Sequence, residues 1–534
     1  MNRKLSRHID EFVSDFLPIW FCSFCAIAFY VFPENNIAPK HGIAMSLYYA
    51  FLGLYVSILP VLLIQVFKGK ARNIAFGILW GLGLLNVAVD VVVMETTGAL
   101  FSLEHVSLIL GSNISESTEF FGAYFNADIV MKIVVLEALC VLVWFISRKI
   151  PKGLFSKFVA SVVLLISIGA GLFSNILKSE NWGQVFIAKT FLFAEYSPAE
   201  DLSPWRQTPV IEVDCAESAP HNIIVIIGES FSKSHSSLYG YNKLTNPLLS
   251  SLPKDRFYVF KNVESADTHT VPAIKQMLTT YDMTKPSVQE WYEYLTMFDI
   301  SKTLGYSTIW ISNQSKVGLF DNVVTRLAEL ADNQVWIGVE SAGVYKKDLD
   351  GNLIPTIGNY VDSCGVNNSR HIFFIHLMGS HPSYSSRYSK EYAIFSAEDY
   401  PDALDKQKKT LSDYDNSIVY NDYVVRSIID TVALMDCVVL YTSDHGQDIY
   451  ESSSDYCGHP MDNVPESAHL GKRVPMMLYV SDSYAARNPD FLSRARDAQL
   501  NDYNLKDLVY SLSDIMGAKT INGEAVCNKS VFRQ

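Results

Sequence analysis

The residues best suited to chemistry sit just after short apolar runs. Gly228-Glu229-Ser230 follows the run 221–227, and Ser312-Asn313-Gln314 follows 308–311. Met378-Gly-Ser-His381 follows 372–377, a run that itself holds His376, and Ser443-Asp444-His445-Gly446 follows 437–441. Carboxylates and imidazoles together suit Zn2+, and Mn2+ is compatible, whereas Mg2+ and Ca2+ favour an all-oxygen shell. A nucleotide cradle is not indicated, because Gly228-Glu229-Ser230 has no P-loop lysine. Each residue alone also has a structural account: Glu229 as the neighbour of a helix cap, His381 as an ordinary surface histidine.

The elements that must position these groups are legible around them. The runs at 221–227, 308–311, 372–377, 437–441 and 475–480 are short, continuous and rich in β-branched residues, as parallel strands covered on both faces should be. Helical stretches such as 413–434 alternate with them, which predicts an α/β domain whose central sheet is mostly parallel. In such sheets ligands bind outside the carboxyl ends of the strands. Four strands therefore bring Glu229, Asn313, His381, Asp444 and His445 to one edge, and it is this convergence that points to a site.

At 534 residues the chain is too long for one compact unit, and its composition is split, with 49% hydrophobic and 19% charged residues overall. Apolar stretches at 15–32, 43–67, 73–94, 129–147 and 156–177 each approach or exceed the length that crosses a bilayer. Arg3, Lys4 and Arg7, then Lys68, Lys70 and Arg72, then Arg148, Lys149, Lys152 and Lys157 mark alternate loops, while 95–128 has no Lys or Arg in its connecting part. By the positive-inside rule the N-terminus is cytoplasmic, and five spans leave everything after residue 180 outside. The expected organisation is a transmembrane domain over 1–180, a proline-marked linker hugging the membrane over 181–218, and an outer domain over 219–534. Asp90 and Glu137 break the apolar pattern; Asp90 is expected near the outer surface and Glu137 paired within the bundle. A net charge of −13, with no basic cluster outside the short membrane-proximal loops, argues against nucleic acid as a partner. Cys215, Cys364, Cys437, Cys457 and Cys527 in the outer part are odd in number, and Cys437, inside a strand-like run, is the one expected to be free.

Taken together, Ile-Ile-Gly228-Glu229-Ser230, Leu238-Tyr-Gly-Tyr241, Thr245-Asn246-Pro247, Asp267-Thr-His-Thr270, His376-Leu-Met-Gly-Ser-His381-Pro, Ser443-Asp-His-Gly446 and Gly458-His459 resemble the motifs of the membrane-bound phosphoethanolamine transferases. These belong to the alkaline phosphatase/sulfatase superfamily, and the resemblance covers nearly the whole chain. It is strongest to the branch modifying lipopolysaccharide core or periplasmic glucans. The resemblance implies five transmembrane helices before a periplasmic sulfatase-like domain in a bacterial inner membrane. Thr270 resembles the family nucleophile, with Thr268 the next candidate. Glu229, Asp444 and His445 resemble the ligands of a first zinc, completed by Thr270 Oγ. His381 and His459 resemble a pair binding phosphate or a second zinc, one of them serving as general acid, and His376 is their neighbour. Asn313 and Lys316 match polar substrate contacts, and Asn113, Glu116 and Ser117 match an interfacial segment for the lipid donor. The implied donor is phosphatidylethanolamine and the implied acceptor a glycolipid or glycan, with no nucleotide involved. Ala266 and Ile274 stand where the polymyxin-resistance branch has a disulfide, which puts lipid A in doubt as acceptor.

Three alternatives compete. An arylsulfatase needs a Cys or Ser oxidisable to formylglycine, which Thr270 cannot become. A phosphoglycerol transferase would share the architecture and metal site and differ in the lipid headgroup. A non-enzymatic membrane scaffold would be expected to have lost ligands that are all present here.

Overall fold

The structure is a computed structural model describing residues 3–28, 57, 61–97, 101, 105, 106, 109, 125–149, 202–213, 218–287, 289–314, 316, 323–337, 348–364, 369–453, 456–459 and 465–533. The described residues fall into two compact units, 3–149 and 202–533.

The first unit holds α1 (Arg3–Ala28), α2 (Lys70–Thr97) and α3 (Ala127–Lys149). Among the described residues two helices are long and apolar enough to cross a membrane: residues Lys70–Thr96 of α2, with mean hydropathy 2.0, and α3, with 2.6. These match the third and fourth predicted spans. Residues 15–28 of the first span lie in α1; the rest of it, most of the second and all of the fifth lie outside the described residues. Arg72 at the start of α2 meets Asp15 at 2.6 Å and Glu11 at 2.8 Å, and Arg148 at the end of α3 lies 3.4 Å from Asp15. Basic residues assigned from the sequence to one side of the membrane thus converge on one buried carboxylate of α1. Towards the other ends of α2 and α3, Lys132 meets Glu95 and Asp128, each at 2.7 Å. Asp90 is fully buried in α2 and accepts from Asn86 Nδ2 at 3.0 Å, one turn earlier; Glu137 is half-buried.

The second unit is built on seven strands: β1 (Asn222–Gly228), β2 (Phe257–Phe260), β3 (Tyr306–Ser312), β4 (Asn333–Trp336), β5 (Arg370–His376), β6 (Cys437–Ser443) and β7 (Met476–Val480). Their order across the sheet is β2-β7-β6-β1-β5-β3-β4. Every residue of β1 is buried, which explains its unbroken apolar run. Ile223, Val225 and Ile227 enter one core with Ala273, Ile274 and Met277 of α4 (Thr270–Met277). Ile224 and Ile226 enter the other with Tyr414, Ile418 and Val425 of α5 (Asp405–Val432), which starts earlier than the predicted 413–434.

One expectation is corrected. The run at 475–480, grouped in the sequence with the parallel strands, forms β7, which runs antiparallel to both β6 and β2. The chain between β6 and β7 does not cross over to the opposite edge. Gly446 N–H donates to Gly471 O at 2.6 Å, so the connection is held at the edge where β6 ended, and β7 starts there and runs back. Of the two short outer strands, β4 (Asn-Gln-Val-Trp) lacks the apolar continuity that marked the others, and β2 (Phe-Tyr-Val-Phe) is apolar but only four residues long. Cys437 is buried and free, as expected; Cys457 and Cys527 are also free, and Cys215 and the side chain of Cys364 lie outside the described residues.

Candidate active site

Register assembles the site. Gly228 pairs with Ser443, so the residues that follow, Glu229 and Asp444, emerge side by side at the carboxyl edge. Ser230 turns away with φ +58°, and Gly379 takes φ +49° where a Cβ would stand 2.6 Å from Glu229 O. That glycine lets Ser380 N–H donate to Glu229 O at 2.9 Å and fixes the loop bearing His381. From below, the Tyr414 hydroxyl donates to Ser230 O and accepts from Ser232 N–H, both at 2.8 Å, and Ser417 Oγ donates to Ser380 Oγ at 2.9 Å. Thr270 is the first residue of α4.

The ligand atoms of Glu229, Asp444 and His445 all lie within 4.8 Å of one another, and none of the three side chains is more than 1% exposed. His445 Nε2 is 3.2 Å from Glu229 Oε1 and 3.6 Å from Asp444 Oδ2. Thr270 Oγ1 is 3.3 Å from both Glu229 Oε2 and His445 Nε2. His445 Nδ1 is 2.8 Å from Gly446 O, which assigns the proton to that nitrogen and turns Nε2 inward as an acceptor. Asp444 Oδ2 is buried without a hydrogen-bond partner. Two buried carboxylates, one imidazole and one orphaned oxygen form a donor set that fits a divalent cation. Burial, then the Glu229 charge, pushes the Asp444 carboxyl up to about 8. Burial pulls the His445 imidazole down, but Asp444 and Glu229 outweigh it and raise it to about 9. Glu229 resists burial and is held well below the usual range by His445. Without a cation, a proton is therefore kept within the cluster.

The histidines form the other wall. The His459 ring lies 4.8 Å from His445, 6.4 Å from His381 and 5.6 Å from His269, parallel to the last within 5°. Its Nδ1 is buried without a partner, and burial together with the charges of His445, His269 and His381 holds it well below the usual imidazole range. Arg387 Nε donates to His381 O at 3.0 Å and its Nη2 lies 3.3 Å from His381 Nδ1. His376 closes β5, fully buried 5.5 Å from Trp310, with neither ring nitrogen partnered; burial pulls it down to about 4, so it is neutral.

Of the sequence-derived residues, Glu229, Thr270, Asp444 and His445 come together, with His459 and His381 beside them. Asn313 does not join the cluster: its amide donates to Asp348 O at 2.9 Å and Asp350 Oδ1 at 2.7 Å. Asp350 in turn accepts from the N–H groups of Met378 and Gly379, each at 2.9 Å, so Asn313 braces the His381 loop. No hydrogen bond or ion pair among the described residues joins Lys316 to Glu229, Asp444 or His445; its carbonyl accepts from Thr325 Oγ1 at 3.1 Å. Thr268 Oγ1 faces His269 Nδ1 at 2.9 Å. Asn113, Glu116 and Ser117 lie outside the described residues. Sequence reasoning passed over Gln314, whose amide donates to Glu229 Oε2 at 3.3 Å and Leu377 O at 2.9 Å, and His269; the signals were their places beside Asn313 and Thr270.

Residues 221–518 match the sulfatase family. Over 520 residues, 90% of this chain and 85% of the relative, the chain is 25% identical to phosphoethanolamine transferase EptC of Escherichia coli strain K12. It is 29% identical over 276 residues to the Kdo(2)-lipid A phosphoethanolamine 7''-transferase of the same strain, covering 50% of this chain and 46% of that protein. Among solved structures, the C-terminal periplasmic domain of Escherichia coli EptC in complex with zinc superposes with TM-score 0.54 at 25% identity, over 61% of this chain and 89% of the domain. The integral membrane protein lipooligosaccharide phosphoethanolamine transferase A of Neisseria meningitidis gives TM-score 0.64 at 19% identity, over 99% and 98% of the two chains.

Proposed function

This chain belongs to the sulfatase family and is homologous to phosphoethanolamine transferases, and on that premise we propose that it transfers phosphoethanolamine from phosphatidylethanolamine to a glycolipid or glycan through a covalent intermediate on Thr270. The observation that carries this reading is the position of Thr270 Oγ1, 3.3 Å from both Glu229 and His445 in an otherwise closed ligand set. Glu229, Asp444, His445 and Thr270 would hold the metal, which when bound lowers the pKa of a coordinated hydroxyl and neutralises charge on phosphoryl oxygens. Zinc is the metal supported, because the similar Escherichia coli domain was solved with it; manganese has no such support.

The remaining chemistry belongs to the chain's own residues. Thr270 Oγ attacks phosphorus, a P–O bond to Oγ forms and the bond to diacylglycerol breaks. A proton must reach the departing oxygen, and His381, or the adjacent His459 once the phosphoryl charge lets its imidazole take up a proton, delivers it. In the second half an acceptor hydroxyl gives its proton to the same imidazole and displaces Thr270, so the kinetics are ping-pong. His376 stays neutral and His381 is steadied by Arg387, which leaves the imidazole wall to face the phosphoryl group.

The proposed setting is a bacterial inner membrane with five transmembrane helices and this domain in the periplasm. The convergence of Arg72 and Arg148 on Asp15 supports that topology. Asn113, Glu116 and Ser117 would meet the donor, Glu116 pairing with its ammonium. In the test, the full-length protein is incubated with phosphatidylethanolamine and its intact mass is measured. A phosphoethanolamine adduct is expected and should vanish in Thr270→Ala. An adduct retained there moves the nucleophile, and consumption of phosphatidylglycerol instead would replace the proposed donor.

A further inference from the structure

Beside the catalytic edge, four cations gather on one strip of a chain whose net charge is −13. Lys233 lies four residues after Glu229, Lys261 follows β2, and Lys472 and Arg473 lie just before β7. Backbone hydrogen bonds knit these segments together: Lys233 N–H donates to Arg473 O at 3.2 Å, and Ser265 N–H to Lys472 O at 2.7 Å. The same turn reaches the ligand cluster, through Gly446 N–H on Gly471 O at 2.6 Å and through the Ser265 hydroxyl, which donates to Asp444 O. The strip is therefore continuous with the site.

The ammonium groups of Lys233 and Lys261 are held by backbone carbonyls. Lys233 Nζ donates to Lys261 O and Lys261 Nζ to Leu238 O, both at 2.8 Å. Both flank one aromatic ring, that of Tyr239, at 5.7 and 5.0 Å from its centroid. Among the described residues no ion pair neutralises Lys233, Lys261, Lys472 or Arg473, although Glu264 lies within the field of Lys233. Burial, and then the charges of Arg473 and Lys261, pull the Lys233 ammonium below its usual range. Like charges packed this closely repel one another and concentrate a positive field that an anion would relieve.

We propose that this strip docks the phosphate or carboxylate groups of an anionic glycolipid acceptor and so presents the acceptor hydroxyl to the site. The proposal rests on the transferase reading above. The donor does not fit the strip, because its headgroup is zwitterionic and its ammonium would be repelled there. An acceptor bearing several anionic groups gains from every cation.

The test uses the full-length protein in neutral detergent, with Kdo(2)-lipid A and a counterpart lacking both its phosphates and its carboxylates as probes. Headgroup release from phosphatidylethanolamine is measured alongside binding. Lys261→Gln and Arg473→Gln should each weaken binding of the phosphorylated probe about tenfold, as loss of a charge-assisted contact does. Headgroup release should be unchanged, the uncharged probe should bind weakly to all forms, and Lys261→Arg should restore binding. Added salt should weaken the unaltered protein's binding more than the variants'. Equal binding by variants and unaltered protein overturns the proposal. So does an equal loss of binding to phosphatidylglycerol vesicles, because the strip would then be a membrane contact. An unaltered protein that releases no headgroup overturns the transferase reading, and this proposal with it; release with unchanged probe binding overturns this proposal alone.

Discussion

The two walls of the site are built on opposite terms. On the carboxylate wall nearly every polar atom is engaged. Glu229 receives Ser230 Oγ at 2.7 Å and Gln314 Nε2 at 3.3 Å, and Asp444 Oδ1 receives the N–H groups of Ser230 at 3.2 Å and His445 at 2.7 Å. Only Asp444 Oδ2 is left over. On the imidazole wall, His459 Nδ1 and both nitrogens of His376 are buried without partners. A fully bonded wall holds its geometry whether or not anything is bound, as a fixed cation site requires. A wall of unsatisfied imidazoles is complete only when a phosphoryl group arrives, which suits a group that comes and goes.

Breaking the first wall at its reacting atom should have the largest effect. Thr270→Ala is expected to lower transfer by about 10³-fold or more while most metal is retained, as read by headgroup release and elemental analysis. Removing a ligand, as in Asp444→Ala, should abolish both, and full zinc in that variant would show that the cluster is not the metal site. On the second wall, His459→Ala should reduce transfer about 100-fold with metal content intact, the range for a lost proton donor. Loss of zinc together with activity would instead place His459 among the ligands and erase the contrast. Tyr414→Phe acts underneath both walls. It removes the donor to Ser230 O and the acceptor for Ser232 N–H, and thermal or denaturant unfolding should show a loss of about 1–3 kcal/mol, with weaker metal retention.

The smallest effect calibrates the rest, because it lies away from both walls. Burial alone would raise the Asp282 carboxyl from its ordinary 3.8, but hydrogen bonds from Thr284 and then Lys506 hold it at about 2. A depressed carboxyl contributes stability that is present above 3.8 and is lost as pH falls through 2. Asp282→Asn should therefore cost less than about 1 kcal/mol at neutral pH after solvent screening, with the difference shrinking through pH 2 and gone below it. A difference persisting below that pH would assign the effect to packing.

What could be read from the sequence follows the same division. The metal-binding wall was legible because its residues follow apolar runs and the runs must pair. Which of two adjacent amides faces the cluster was not, since neighbouring residues leave a strand in different directions and a one-position choice decides between Asn313 and Gln314. The reversal of β7 was hidden because an apolar run has no direction; it shows in the antiparallel pairing with β6 and β2, and a backbone contact between Gly446 and Gly471 holds the connection. Asp350 and Tyr414 act through hydrogen bonds to loops far away in the chain, and nothing local marks them. The proposed donor segment at Asn113, Glu116 and Ser117 remains a reading of the sequence alone.

The strand order also sets a timetable. β1 sits at the middle of the sheet, yet Asn222 pairs with His371 and Cys437, and Phe260 of β2 pairs with Met476 of β7. Such distant pairings fold slowly and cannot begin until the later partner has been made. A chain emerging from its N-terminus presents Glu229 and Thr270 long before Asp444 and His445 exist. Until residues 370–376 are made the apolar β1 has no neighbour, and until residues 437–443 follow it has only one, which makes it a hazard for misassembly. Incomplete chains are thus denied the full ligand set, so nucleophile and metal ligands meet only in a domain that is nearly finished.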